Sequence, residues 1–164
     1  MDKALLNRAG IEEVLKMLSK KGFNVSHLPR SSGAHLLISR GDRLCKVTVR
    51  AKQKVEWPAV KGTSGKNHFM VLVDFEKNSA APDFYILSND NYKATADIRV
   101  EEVIRRAGRS TYPVARDSAG GTPTWLTETV NATGENYKGC SFRPILVKGF
   151  QNKWETITNY FGKS

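Results

Sequence analysis

The chain has 164 residues, 40% of them hydrophobic and 26% charged, which suits one globular domain with a real core and excludes a disordered or fibrous chain. Its longest apolar runs are far too short to span a bilayer, and the opening MDKALLNRAGIEE has acidic residues where a secretion signal needs a basic-then-apolar run. The net charge of +10 makes an acidic ligand or partner the first expectation.

In chain order, KALLNRAGIEEVLKMLSKKGF reads as a helix. Leu5, Leu6, Ala9, Val14, Leu15 and Leu18 fall on one broad face, and Gly22 is placed to end it in a left-handed conformation. Two-residue alternation and intervening turn residues predict short strands over 23–28, 34–39 and 44–51. A looser stretch, EWPAVKGTSGKN, precedes HFMVLVDFE, which is apolar on both faces and therefore reads as a central strand. DFYIL at 83–87 follows Pro82 as another strand. Asp97 is placed to cap a helix carrying Val100, Val103, Ile104 and Ala107 at helical spacing, with Gly108 at its end. Gly, Ser, Thr and Pro dominate from 109 to 148, a length that in a compact domain predicts short strands hidden among the turns. The closing FQNKWETITNYFG places Phe150, Trp154, Ile157 and Phe161 on one helical face, a helix over about 150–161.

Charge is unevenly spread. Residues 1–82 hold 15 Lys/Arg against 7 Asp/Glu, and between Arg40 and Lys54 six basic residues meet one acid, Asp42. Such a face suits phosphates, because neutralising them releases condensed counterions. A solvated surface or an acidic protein partner fits the same charge. GTSGKN at 62–67 fails as a phosphate-binding loop, since its glycines are too close and Asn67 replaces the metal-binding hydroxyl, so it reads as a flexible surface loop. His27, His35 and His68 lack zinc-site spacing, and Cys45 with Cys140 makes neither a metal nor a disulfide framework. The expected compartment is a reducing cytoplasm, in which the sequons at Asn24 and Asn131 are accidental.

GAHLLISRGDRLCKVTVRAKQ is the most informative stretch. A two-residue turn at Gly41-Asp42 sets Arg40 opposite Arg43, Leu37 opposite Lys46 and His35 opposite Thr48. Opposed residues share a face, and alternation brings Arg50 to that of His35 and Thr48. The other face receives Ala34, Leu36, Ile38, Cys45, Val47 and Val49, whose burial sets the register.

The helix ending in Gly22, FNVS, the hairpin with VTVRAKQ, then HFMVLVDF and PDFYIL, taken together, resemble the PD-(D/E)XK nuclease-like superfamily, the restriction-endonuclease-like fold. The resemblance is to the branch in which a strand runs into an x-D-L segment and an I-Q-V-K strand follows. It covers residues 5–108, with the C-terminal helix as a companion. The fold it implies is an α/β domain with a mixed central sheet of about four to six strands flanked by helices, 44–51 and 69–75 lying at its centre. Active relatives are implied to carry an aspartate on the first hairpin strand and a Glu or Gln two positions before a lysine on the second. These hold magnesium or manganese and position the water that attacks a phosphodiester. Here the three positions match His35, Thr48 and Arg50, and all depart from the pattern.

The departures change the chemistry. Magnesium requires hard oxygen ligands, whereas imidazole brings no charge, a threonine hydroxyl is a weak ligand and an arginine repels the ion. The resemblance therefore implies a catalytically degenerate module that binds DNA or RNA, DNA being favoured by the resemblance alone, and needs no cofactor. Candidate phosphate contacts are Arg40, Arg43, Lys46, Arg50, Lys52, Lys54, Lys61 and Lys66. A rewired metal-dependent nuclease would need Glu12, Glu13, Glu56 or Asp74 to converge on the hairpin, and a protein-binding module would turn the basic face to an acidic partner. Arg50 is expected to grip an acid or a phosphate, Thr48 to hydrogen-bond across the strands, and His35 to act as a donor or stacking surface.

Overall fold

The computed structural model describes residues 2–108, 113–117, 120–130 and 135–162, so Asn131 lies outside the described residues. Helix α1 (Lys3–Lys20) starts where Asp2 accepts a hydrogen bond from Leu5 N at 2.9 Å and ends before Gly22, whose φ of 87° is the left-handed stop expected of it. Gly10, Val14 and Leu18 are its buried residues, while Leu5 is 50% exposed and stands outside the apolar face assigned to it.

Strands β1 (Asn24–His27), β2 (Leu36–Arg40), β3 (Arg43–Lys52), β4 (Trp57–Val60), β5 (His68–Asp74) and β6 (Asp83–Leu87) follow. Five of them form a mixed sheet in the order β1-β2-β3-β5-β6, with β3 parallel to β5 and the other pairs antiparallel. The hairpin register is the predicted one for Arg40 opposite Arg43 and Leu37 opposite Lys46, but the ladder ends at Leu36 opposite Val47, so the expected His35–Thr48 pair lies beyond it. The two strands expected at the centre are neighbours, Val49 standing opposite Val71.

Helix α2 (Asn89–Arg106) begins eight residues before Asp97, because Ser88 and Asn91 form a reciprocal capping box. Asp97 caps nothing and instead pairs with Arg116 at 2.5 Å. The turn-rich stretch holds β7 (Val114–Arg116), β8 (Pro123–Val130) and β9 (Asn136–Lys138) in a small antiparallel sheet, and β10 (Cys140–Phe142) pairs with β4. Over the expected 150–161 helix the chain forms only the short α4 (Glu155–Thr158), continued by a 3-10 turn to Phe161, while another short helix, α3 (Pro144–Val147), precedes that span. The left-handed backbone at Asn152, φ 56°, breaks the expected run and sends Phe150 to a different core from Trp154 and Ile157.

Two apolar layers cover the sheet. Val14 and Leu18 of α1 pack on Leu36, Ile38, Cys45, Val47, Val49, Val71 and Val73, joined by Trp154 and Ile157. On the opposite face Met70, Leu72, Tyr85 and Leu87 meet Tyr92, Ala96 and Val100 of α2, together with Trp57 and Phe142. Residues 69–74 are all buried, which is why the central strand has no polar face. No helix among the described residues is long and apolar enough to cross a membrane.

Candidate functional site

β3 outruns its antiparallel partner. β2 pairs with it as far as Val47, while β5 flanks it to Lys52, so the second half of β3 has a bare edge. Side chains close that edge. Val49 N donates to His35 Nδ1 at 2.8 Å and Ala51 N donates to Asn7 Oδ1 at 3.0 Å. His35 thus accepts through Nδ1, which leaves its ring proton, and a donor, on Nε2.

On the α2 side of the sheet the apolar layer stops at β5, leaving the Lys46, Thr48 and Arg50 face of β3 open. These residues and Ala51 floor a cleft of about 1000 Å³. One wall comes from the start of α1 and the β1–β2 link, with Lys3, Asn7, Arg30 and His35; the other comes from the link into β5, with Pro58, Lys61, Thr63, Ser64 and His68. The second wall is fixed to α2, since Thr63 Oγ1 donates to Asn89 Oδ1 and lies 3.2 Å from His68 O, and Asn89 Nδ2 donates to Gly65 O. A Cβ on Gly62 would collide with Gly120 O and with Tyr92, so this segment is packed and is no free loop.

His35, Thr48 and Arg50 meet in this cleft, and His68 joins them. Thr48 Oγ1 lies 2.7 Å from His68 Nε2 and 3.4 Å from Gly33 O, so one arrangement satisfies it: the hydroxyl accepts the imidazole proton and donates to the carbonyl. Arg50 extends to Pro58 O at 2.7 Å, a backbone carbonyl where an acid or phosphate was expected. Burial, and then the Arg50 charge, lowers the pKa of His35; burial, then Lys46 and His35, lowers that of His68. Burial also lowers Arg50, against an opposing influence from Tyr92. Among the described residues, five cationic side chains line the cleft (Lys3, Arg30, Lys46, Arg50 and Lys61) and no Asp or Glu does. The charged side chains lining the cleft favour an incoming anion.

The other expected contacts diverge. Lys46, Arg50 and Lys61 line the cleft, and Lys54 and Lys66 are exposed outside its lining. Arg40 and Arg43 lie at the far end of the hairpin, the first 3.9 Å from the Phe23 ring centre and the second bonded to Tyr160 O. Lys52 is no surface contact at all: it is 2% exposed and pairs with Asp74 at 2.7 Å and Glu76 at 2.8 Å. The candidate metal ligands do not converge either. Glu12 holds His27 at 2.7 Å, Glu13 holds Lys16 at 3.5 Å, Glu56 meets Arg143 at 3.8 Å and Asp74 holds Lys52. Among the described residues no group of three or more His, Cys, Asp or Glu is arranged to hold a metal ion.

His68 is the residue that sequence spacing missed. Its signal was available, since pairing 44–51 with 69–75 in parallel brings His68 opposite Lys46, one place from Val47. No protein-family model, curated protein or solved structure matches the chain.

Proposed function

We propose that the chain is a catalytically degenerate module of the PD-(D/E)XK nuclease-like kind whose basic cleft binds nucleic acid through its phosphates. The observation that carries the reading is the cleft lining: Lys3, Arg30, Lys46, Arg50 and Lys61, with His35 and His68 between them, and no carboxylate among the described residues. It lies on the hairpin face to which the resemblance assigns a metal, and its charge is the opposite of what such a metal needs. The order of elements supports the same reading, with α1 leading into the β1–β3 meander and β5 lying parallel beside β3.

Phosphate contacts from lysine and arginine give affinity and orientation without reading sequence. Arg50 contributes most per residue, because its half-buried guanidinium is positioned by Pro58 O and retains donors for a phosphate. The test is fluorescence anisotropy of labelled DNA and RNA oligonucleotides across a salt series. Affinity should fall steeply with salt, and Lys46→Ala and Lys61→Ala should each reduce the log–log slope by about 0.7 to 0.9. Affinity that ignores ionic strength, or a slope unchanged in both variants, overturns the reading.

A further inference from the structure

A second cleft of about 750 Å³ adjoins the first. It is lined by Ala59, Thr124, Glu135, Asn136, Tyr137 and Lys138, and Lys61 lines both. A glycine contact sets them side by side. Gly139, φ 99°, lies so close to β4 that a Cβ there would sit 2.8 Å from Ala59 C and Val60 O, so only glycine lets β9 press against β4. β9 is anchored from its other side as well: Tyr137 stands opposite Trp125 of β8, whose buried indole donates to Gly139 O at 3.1 Å. The result is a strand that places Tyr137, 38% exposed, and Lys138 in the second cleft, which shares Lys61 with the basic one.

Cations that follow a backbone, interrupted by an aromatic ring, are what a single strand requires, since every base has a face to stack and an unpaired base is free to use it. A duplex offers the same phosphates and keeps its bases stacked inside. We propose that the two clefts form one track for single-stranded nucleic acid, with phosphates along Lys46, Arg50, Lys61 and Lys138 and an unpaired base stacked on Tyr137. The proposal rests on the anion-binding reading of the first cleft and adds to it the class of strand and the residue that selects it.

The experiment compares oligothymidylate of about twelve nucleotides with a duplex of equal length, by anisotropy at fixed salt, for wild type, Tyr137→Ala and Tyr137→Phe. Tyr137→Ala should weaken single-strand binding roughly five-fold or more and leave duplex binding unchanged. Tyr137→Phe keeps the ring and should bind as wild type does, and superimposable circular dichroism spectra of the three proteins confirm that the fold is retained. If Tyr137→Ala binds oligothymidylate like wild type, or weakens single strand and duplex equally, the stacking proposal is overturned. In either case the salt slopes of Lys46→Ala and Lys61→Ala still judge the anion reading on their own, so the two failures are distinguishable.

Discussion

Replacing Lys52 by methionine should cost the fold about 3 kcal/mol and leave the salt slope of nucleic-acid binding unchanged. Lys52 Nζ donates to Asp74 Oδ1 at 2.7 Å, Glu76 Oε2 at 2.8 Å and Lys54 O at 2.8 Å, and it lies 5.0 Å from the Trp57 ring centre. The Asp74 side chain is 4% exposed, so loss of the ammonium leaves a buried carboxylate whose remaining hydrogen bond is from Glu76 N at 2.9 Å. Removing one member of a buried pair costs about 3 to 5 kcal/mol, and methionine, which retains most of the apolar stem, belongs at the lower end. Glu76 is 44% exposed, rehydrates freely and adds little. With a urea dependence of about 2 kcal/mol per molar, the unfolding midpoint should fall by about 1.5 M. Adding Asp74→Asn removes the stranded charge but keeps an acceptor for Glu76 N, so the double variant should lose less than Lys52→Met alone. An unchanged midpoint, or a loss of oligonucleotide affinity as large as that of Lys46→Ala, would show Lys52 to be a free surface cation and refute the reasoning.

The two cleft histidines make stability depend on pH. Both have pKa values below 6.5 in the fold, so the unfolded chain binds more protons as pH falls through 6.5, and stability should drop by at most about 1.4 kcal/mol per pH unit for each histidine until the folded value is reached. Thermal melts between about pH 5 and 8 should flatten in His35→Asn/His68→Gln, where asparagine still offers Val49 N an acceptor; an unaltered slope would place the titration elsewhere. Gly10→Val should lower stability by about 1 to 3 kcal/mol, because a Cβ at Gly10 already falls 2.9 Å from Ala51 Cβ and a larger side chain must push α1 off β3; a melting temperature equal to wild type would contradict that close approach. Cys45 and Cys140 are both buried, their thiols pushed up to about 12 and about 11, so neither should react with a thiol reagent at about pH 8 until denaturant is added, and prompt labelling of the native protein would contradict their burial.

The hairpin and the central strand were legible in the sequence because their determinants are local. Gly41 supplied the positive φ of the turn, and alternating Leu36, Ile38, Cys45, Val47 and Val49 left one face to bury, so a shift by one residue would have turned every one of them to the other side. Gly22 and Gly108 marked helix ends for the same reason, each taking a φ that other residues adopt at a cost. Local signals also misled. Asp97 has the chemistry of a helix cap, but the reciprocal Ser88–Asn91 pair starts the helix earlier, and which candidate wins depends on where β6 delivers the chain. The site depended on tertiary structure more heavily. Lys46, Thr48, Arg50 and Lys52 share one face of β3 by alternation and look alike in sequence. Only the packing of Trp57 and the arrival of Asp74 on the neighbouring strand bury Lys52, while the apolar layer ending at β5 leaves the other three open. His68 comes to Thr48 from 20 residues away, and the second cleft meets the first only because Gly139 lets β9 touch β4. Alternation assigns a residue to a face of its strand; what lies over that face is decided by chain segments far away in sequence, and no local pattern encodes their approach.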